Sequence, residues 1–104
     1  MAEVVLTALA QVHVQSIYAR LDDYQPGLGD RFSEELEKCL GLLATNPRLF
    51  GADADGVRRV PFWKDRYGIF WVHEPRGVIV VAVLVLGGDP RALRREIRRA
   101  LNLD

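Results

Sequence analysis

Nine consecutive residues, Val78 through Leu86, carry no polar side chain. The run is far shorter than the roughly 20 residues a helix needs to span a bilayer. A strand with one wet face alternates polar and apolar residues, so an unbroken apolar run of this length reads as a central strand covered on both faces. Two extended stretches precede it, giving consecutive strands at Val57–Trp63, Tyr67–His73 and Gly77–Leu86. The short connections Lys64-Asp65-Arg66 and Glu74-Pro75-Arg76-Gly77 imply an antiparallel meander. Gly87-Gly88-Asp89-Pro90 ends the run, and Asp89 caps a last helix with Pro90 at its first position. Leu93, Ile97 and Ala100 or Leu101 form the apolar side of that helix, with Arg94, Arg95, Arg98 and Arg99 opposite.

The first half of the chain has a helical period. Glu3–Leu6 is short and β-branched, and Thr7 offers an N-cap oxygen to a helix running to about Tyr24. Leu9, Val12 or His13, Ile17, Leu21 and Tyr24 recur at helical spacing. Gln25-Pro26-Gly27-Leu28-Gly29 is a breaker, because it joins a fixed φ to two residues that tolerate positive φ. A second helix begins at Asp30 or slightly before and stops at Asn46-Pro47, since proline disfavours the α region in the residue ahead of it. Its stripe is Leu28, Phe32, Leu36, Leu40 or Cys39, and Leu43, with Glu34 and Lys38 placed as an i,i+4 pair. The expected fold is α+β: an N-terminal strand, an antiparallel helical hairpin packed on an antiparallel meander, and a C-terminal helix.

Length and charge bound the function. A chain of 104 residues with 49% hydrophobic and 27% charged side chains suits one folded domain, here residues 1–104, and argues against disorder. The net charge is zero, so no global field announces nucleic acid or membrane. Residues 1–56 nevertheless hold four basic and nine acidic side chains, net −5, against ten basic and five acidic in the remainder, net +5. The lone Cys39 cannot form an internal bridge, and Met1-Ala2-Glu3 lacks the cationic start of a secretory signal. A cytoplasmic protein is expected.

Familiar catalytic motifs are missing. His13 and His73 have no partners at metal-ligand spacing, so no metal is expected, and no Walker A loop, Gly-x-Ser-x-Gly or dinucleotide fingerprint is present. No cofactor is implied. The meander is basic and aromatic, with Arg58, Arg59, Trp63, Lys64, Arg66, Tyr67, Trp71 and Arg76. Guanidinium groups bind phosphates and aromatic rings stack on bases, a mixture suited to single-stranded nucleic acid. Strand alternation divides them, however, sending Arg58, Val60 and Phe62 to one face and Arg59, Pro61 and Trp63 to the other. Trp63 and Trp71 read better as core residues than as base-stackers.

The Pro26-Gly27-Leu28-Gly29-Asp30-Arg31-Phe32 hinge, the Asn46-Pro47 stop and the Val57-Arg58-Arg59-Val60 strand occur in an order that resembles the RelE/ParE superfamily of bacterial type II toxins. The likeness covers nearly the whole chain. It implies a cognate antitoxin that wraps the toxin, and either ribosome-dependent mRNA cleavage or poisoning of DNA gyrase. Family members usually read Tyr-Arg-Ile-x-Tyr on the second meander strand, where ribosome-dependent nucleases use the arginine, and many members carry a His-Gly-Arg-Arg-Asp-Pro type segment at the end of the last strand. Here the corresponding stretches are Tyr67-Gly68-Ile69-Phe70-Trp71 and Leu86-Gly87-Gly88-Asp89-Pro90. Both basic positions are gone, and such groups would stabilise a scissile phosphate. The resemblance therefore favours the ParE-like branch, a gyrase inhibitor contacting its target or antitoxin through Arg58, Arg59, Lys64, Arg66, Arg91, Arg94, Arg95, Arg98 and Arg99. The alternatives are an mRNA endoribonuclease acting at the ribosome through Arg58, Arg59, Lys64 and Tyr67, or a non-toxic interaction protein of the same fold. No membrane partner is implied.

Overall fold

The computed structural model describes residues 2–53 and 55–102, in the order β1 (Glu3–Leu6), α1 (Ala8–Tyr24), α2 (Leu28–Thr45), β2 (Arg58–Phe62), β3 (Tyr67–Glu74), β4 (Gly77–Val85) and α3 (Pro90–Asn102). The four strands form one sheet in the order β1-β4-β3-β2. The meander is antiparallel as expected, but β1 returns to lie parallel to β4, so the sheet is mixed. The α1–α2 hairpin covers one face and α3 the other. That is why the apolar run is covered on both faces as far as Leu84, while Val85 near its end is exposed.

A register shift in β4 completes this arrangement. Phe70 lies opposite Ala82 and Trp71 opposite Val80, leaving Val81 as an extra residue. Val78, Val80 and Val83 therefore point to the hairpin layer, while Val81 and Ala82 both point to the α3 layer. The hairpin-side core centres on Trp71, Phe32, Ile69 and Leu43, all fully buried, and Trp71 Nε1 donates to the Pro47 carbonyl (3.1 Å). The α3-side core is smaller, built on Phe70, Val81, Ala82 and Ala100 with Leu93 and Ile97.

The hinge residues explain the tight hairpin. Asp22 Oδ1 accepts from the Gly27 and Gly29 N–H groups (3.2 and 2.8 Å) and so caps α2, while Tyr18 Oη donates to Asp30 Oδ1 at 2.5 Å. Those bonds start α2 at Leu28, two residues before Asp30. Gly27 takes φ +97°, a left-handed value that costs glycine little.

Several local expectations are corrected. On α1 the inward residues are Ala10, Val14, Ile17 and Leu21, whereas Val12 and Tyr24 are exposed, because the helix lies over the sheet margin and Leu9 already belongs to the opposite layer. Lys38 pairs with Glu35 (3.1 Å) rather than Glu34, and Arg31 approaches the same carboxylate (3.8 Å). Trp63 does not follow strand alternation. It takes φ +52°, at the start of a left-handed turn shared with Lys64 and Asp65, and stacks on Tyr67 on the same side as Phe62.

Candidate functional site

The α3 face of the sheet carries an exposed, arginine-rich surface. Asp89 holds the start of α3 by accepting from the Arg91 N–H at its carboxylate (3.0 Å) and from the Leu93 N–H at its carbonyl (3.1 Å). Leu93 and Ile97 then press on the sheet, and Arg91, Arg94, Arg95, Arg98 and Arg99 stand exposed. Between α3 and the loop before β2 is a cavity of about 450 Å³ with Phe70 and Val57 among its lining residues. Arg59 from β2 and Arg94 from α3 both reach it. Asp53 lies on the loop side, where its Oδ1 accepts from the Asp55 and Val57 N–H groups (2.8 and 2.9 Å) and fixes the loop. Arg94 and Arg98 line a second, smaller recess with Asp53 and Asp55. The cavity thus joins an apolar floor to two guanidinium groups, a combination able to receive an acidic or planar group from a partner.

The four residues named for RNA cleavage do not converge. Arg58 lies on the hairpin side and donates to the carbonyls of Phe50 and Arg48, so its guanidinium is engaged in holding the loop. Tyr67 is packed among Phe32, Phe62 and Trp63 in the hairpin-side core. Arg59 is on the opposite face, and Lys64 and Arg66 are exposed on the β2–β3 turn. Of the wider contact set, the fold brings Arg59 to the same cavity as Arg94 and leaves Lys64 and Arg66 beyond the far end of β2.

Gly68 explains the missing arginine on β3. A Cβ there would meet Leu86 Cδ2 at 3.0 Å and Phe70 Cε1 at 3.3 Å, so an aliphatic side chain occupies the space above it. Among the described residues no three His, Cys, Asp or Glu side chains gather as a metal site. No helix described is long and apolar enough to cross a membrane. Cys39 is buried on the inward side of α2, which pushes its thiol up to about 11 and leaves it protonated.

The task of His13 had no signal in the sequence. Its Nδ1 accepts from the Val83 N–H (3.2 Å) at the margin of β4, and burial lowers its pKa against a smaller opposing effect of Glu96. The neutral ring is the form this bond requires.

No curated relative matches the chain. A family model described as the ParE toxin of the type II toxin-antitoxin system, parDE, matches residues 4–85, from β1 to the end of β4. The match covers the strand, hairpin and meander from which the resemblance was read, and α3 follows it. The chain belongs to the ParE toxin family of type II toxin-antitoxin systems.

Proposed function

We propose that this toxin arrests bacterial growth by inhibiting DNA gyrase, and that its antitoxin neutralises it by covering the α3 face. The observation that carries the reading is the chemistry of that face. The β3 position where nuclease members of the superfamily place an arginine is Gly68 beneath Leu86, and Tyr67 is sealed in the opposite core. General acid–base cleavage of RNA needs a base, an acid and phosphate-binding groups around one reacting atom. Here the candidates are divided between faces. What the α3 face offers instead is a contact surface, five exposed arginines and a cavity whose apolar floor is flanked by Arg59 and Arg94.

Inducible expression in a bacterial host, read by growth and a DNA-damage reporter, tests this. Growth arrest with reporter induction is expected, together with loss of supercoiling by purified gyrase on addition of the protein. Arrest without induction, accompanied by mRNA cut on ribosomes, would move the chain to the ribonuclease class. Unimpeded growth of cells containing the folded protein would make it a non-toxic member of the family.

A further inference from the structure

Where β1 ends, β4 has a stretch of margin that the fold leaves open. In the antiparallel β3–β4 ladder the Leu86 N–H donates to the Arg66 carbonyl (2.8 Å), which makes that pair a hydrogen-bonded one. Bonded and non-bonded pairs alternate, so Val85 opposite Tyr67 and Val83 opposite Ile69 are non-bonded pairs. Both valines therefore turn their N–H and C=O groups away from β3. On that side β1 reaches only to Leu6, opposite Val80. Thr7 then donates its N–H to the Val80 carbonyl (3.0 Å) and its hydroxyl to the Val81 carbonyl (3.5 Å), and the chain departs into α1. The Val83 N–H is stoppered by His13, and among the described residues nothing pairs with the Val83 carbonyl or with either backbone group of Val85. Val85 is 49% exposed.

Unpaired strand groups are a template for another backbone. The surroundings here suit one. A cavity of about 280 Å³ lies on the α3 side of His13, lined by Leu84, Ala92 and Leu93 with Asp89 and Glu96. Another of about 150 Å³ lies on the α1 side, lined by Ile17 and Val83 with Ser16 and Arg20. Successive side chains of an added strand point to opposite faces, so one chain lying along Val83–Val85 would send neighbouring residues alternately into these two spaces. The outer margin of β2 has no such opening: Pro61 lacks an N–H, and Ala52 bridges to Arg58.

We infer that the half-edge at Val83 and Val85 is where an extended segment of the antitoxin joins the sheet as an added strand, displacing His13 from the Val83 N–H. The inference rests on the toxin–antitoxin reading of this chain. The segment carries apolar side chains for the two cavities, an acidic group facing Arg20 and a basic group facing Glu96 and Asp89. His13 acts as a removable stopper that keeps the free toxin from pairing through this edge.

The test uses the full chain and the purified product of the antitoxin gene adjacent to it. Binding should slow hydrogen exchange at the Val85 amide at least tenfold. Val85→Pro removes an N–H that no strand uses, so the free protein should keep its thermal midpoint while its affinity for the antitoxin falls at least tenfold. His13→Ala frees the Val83 N–H in advance and should tighten binding several-fold. Undiminished binding by Val85→Pro, with the Val85 amide of the wild-type complex exchanging as fast as in the free chain, would overturn the docking edge and leave the antitoxin reading intact. Weaker binding by His13→Ala would make the imidazole a contact and overturn its role as a stopper. If the antitoxin does not bind the chain at all, the antitoxin reading fails and the docking edge fails with it.

Discussion

At Gly29 the helical hairpin closes so tightly that a Cβ would lie 2.8 Å from Asp22 Oδ1 and 2.9 Å from the Tyr18 ring. Gly29→Ala should therefore destabilise the protein by about 1–3 kcal/mol, the usual cost of overpacking, despite alanine's better helix propensity. A lowered thermal midpoint checks it, and Gly27→Ala separates this close approach from simple backbone strain at positive φ. The sequence marks Gly27 and Gly29 together as a breaker, whereas Gly27 caps α2 and Gly29 is its second residue. The need for space at Gly29 was not legible, because it depends on Asp22 and Tyr18 across the hairpin on α1. His13 was equally opaque, since its partner lies 70 residues distant at the end of a strand whose length periodicity does not specify. Its folded-state pKa lies below the ordinary value, so the unfolded chain binds the proton more readily. The corresponding stability is fully present above about pH 6.5, the ordinary histidine value, and is lost as pH falls through the folded-state value. His13→Asn keeps an acceptor near the Nδ1 position without titrating, so the variant's thermal midpoint should fall less than the wild type's between pH 7.5 and pH 5.5.

At the scale of elements, β4 shows what a binary pattern conveys and what it hides. An unbroken apolar run was enough to place this strand in the middle of the sheet with cover on both faces. The same lack of alternation concealed the bulge, because an apolar residue at every position marks no change of face. Trp63 escaped for a related reason, as three consecutive residues of positive φ in the following turn reverse a direction that strand alternation alone would assign. The charged set was divided correctly in part: Arg58 and Arg59 do lie on opposite faces, but the sequence did not bring Arg59 beside Arg94, which requires α3 to cross the sheet. Deleting Val81 tests the bulge. Without the extra residue Val80, Ala82 and Val83 follow in simple alternation, so each remaining side chain keeps its face and its partner on β3. The deletion removes only Val81 from the α3-side core together with the local twist, and a loss of about 1–3 kcal/mol is expected, measured by denaturant unfolding. Val81→Ala keeps the bulge and trims the side chain alone, so any larger loss in the deletion measures what the bulge contributes.

Across the whole molecule the charge asymmetry of the sequence becomes a separation between layers. Residues 8–45, the hairpin, hold three basic and six acidic side chains, net −3, whereas α3 holds five arginines and one glutamate, net +4. The sheet lies between them. Most of these side chains are exposed, and the ion pairs described within each layer are local: Arg31 and Lys38 to Glu35, and Arg99 to Glu96 (3.7 Å). Surface pairs of this kind contribute little stability, so the field they leave uncancelled acts chiefly on approaching partners. Fields of exposed charge raise association rates more than they slow dissociation, and salt screens them. Replacing Arg94, Arg95, Arg98 and Arg99 together by glutamine should therefore lower the association rate with an acidic antitoxin segment by about tenfold or more at low ionic strength. The wild-type and variant rates should converge as salt is raised, with the thermal midpoint nearly unchanged. Stopped-flow binding across a salt series measures this directly. A dissociation rate that rises far more than the association rate falls would instead place these arginines in close contact with the bound partner rather than in the field that guides it.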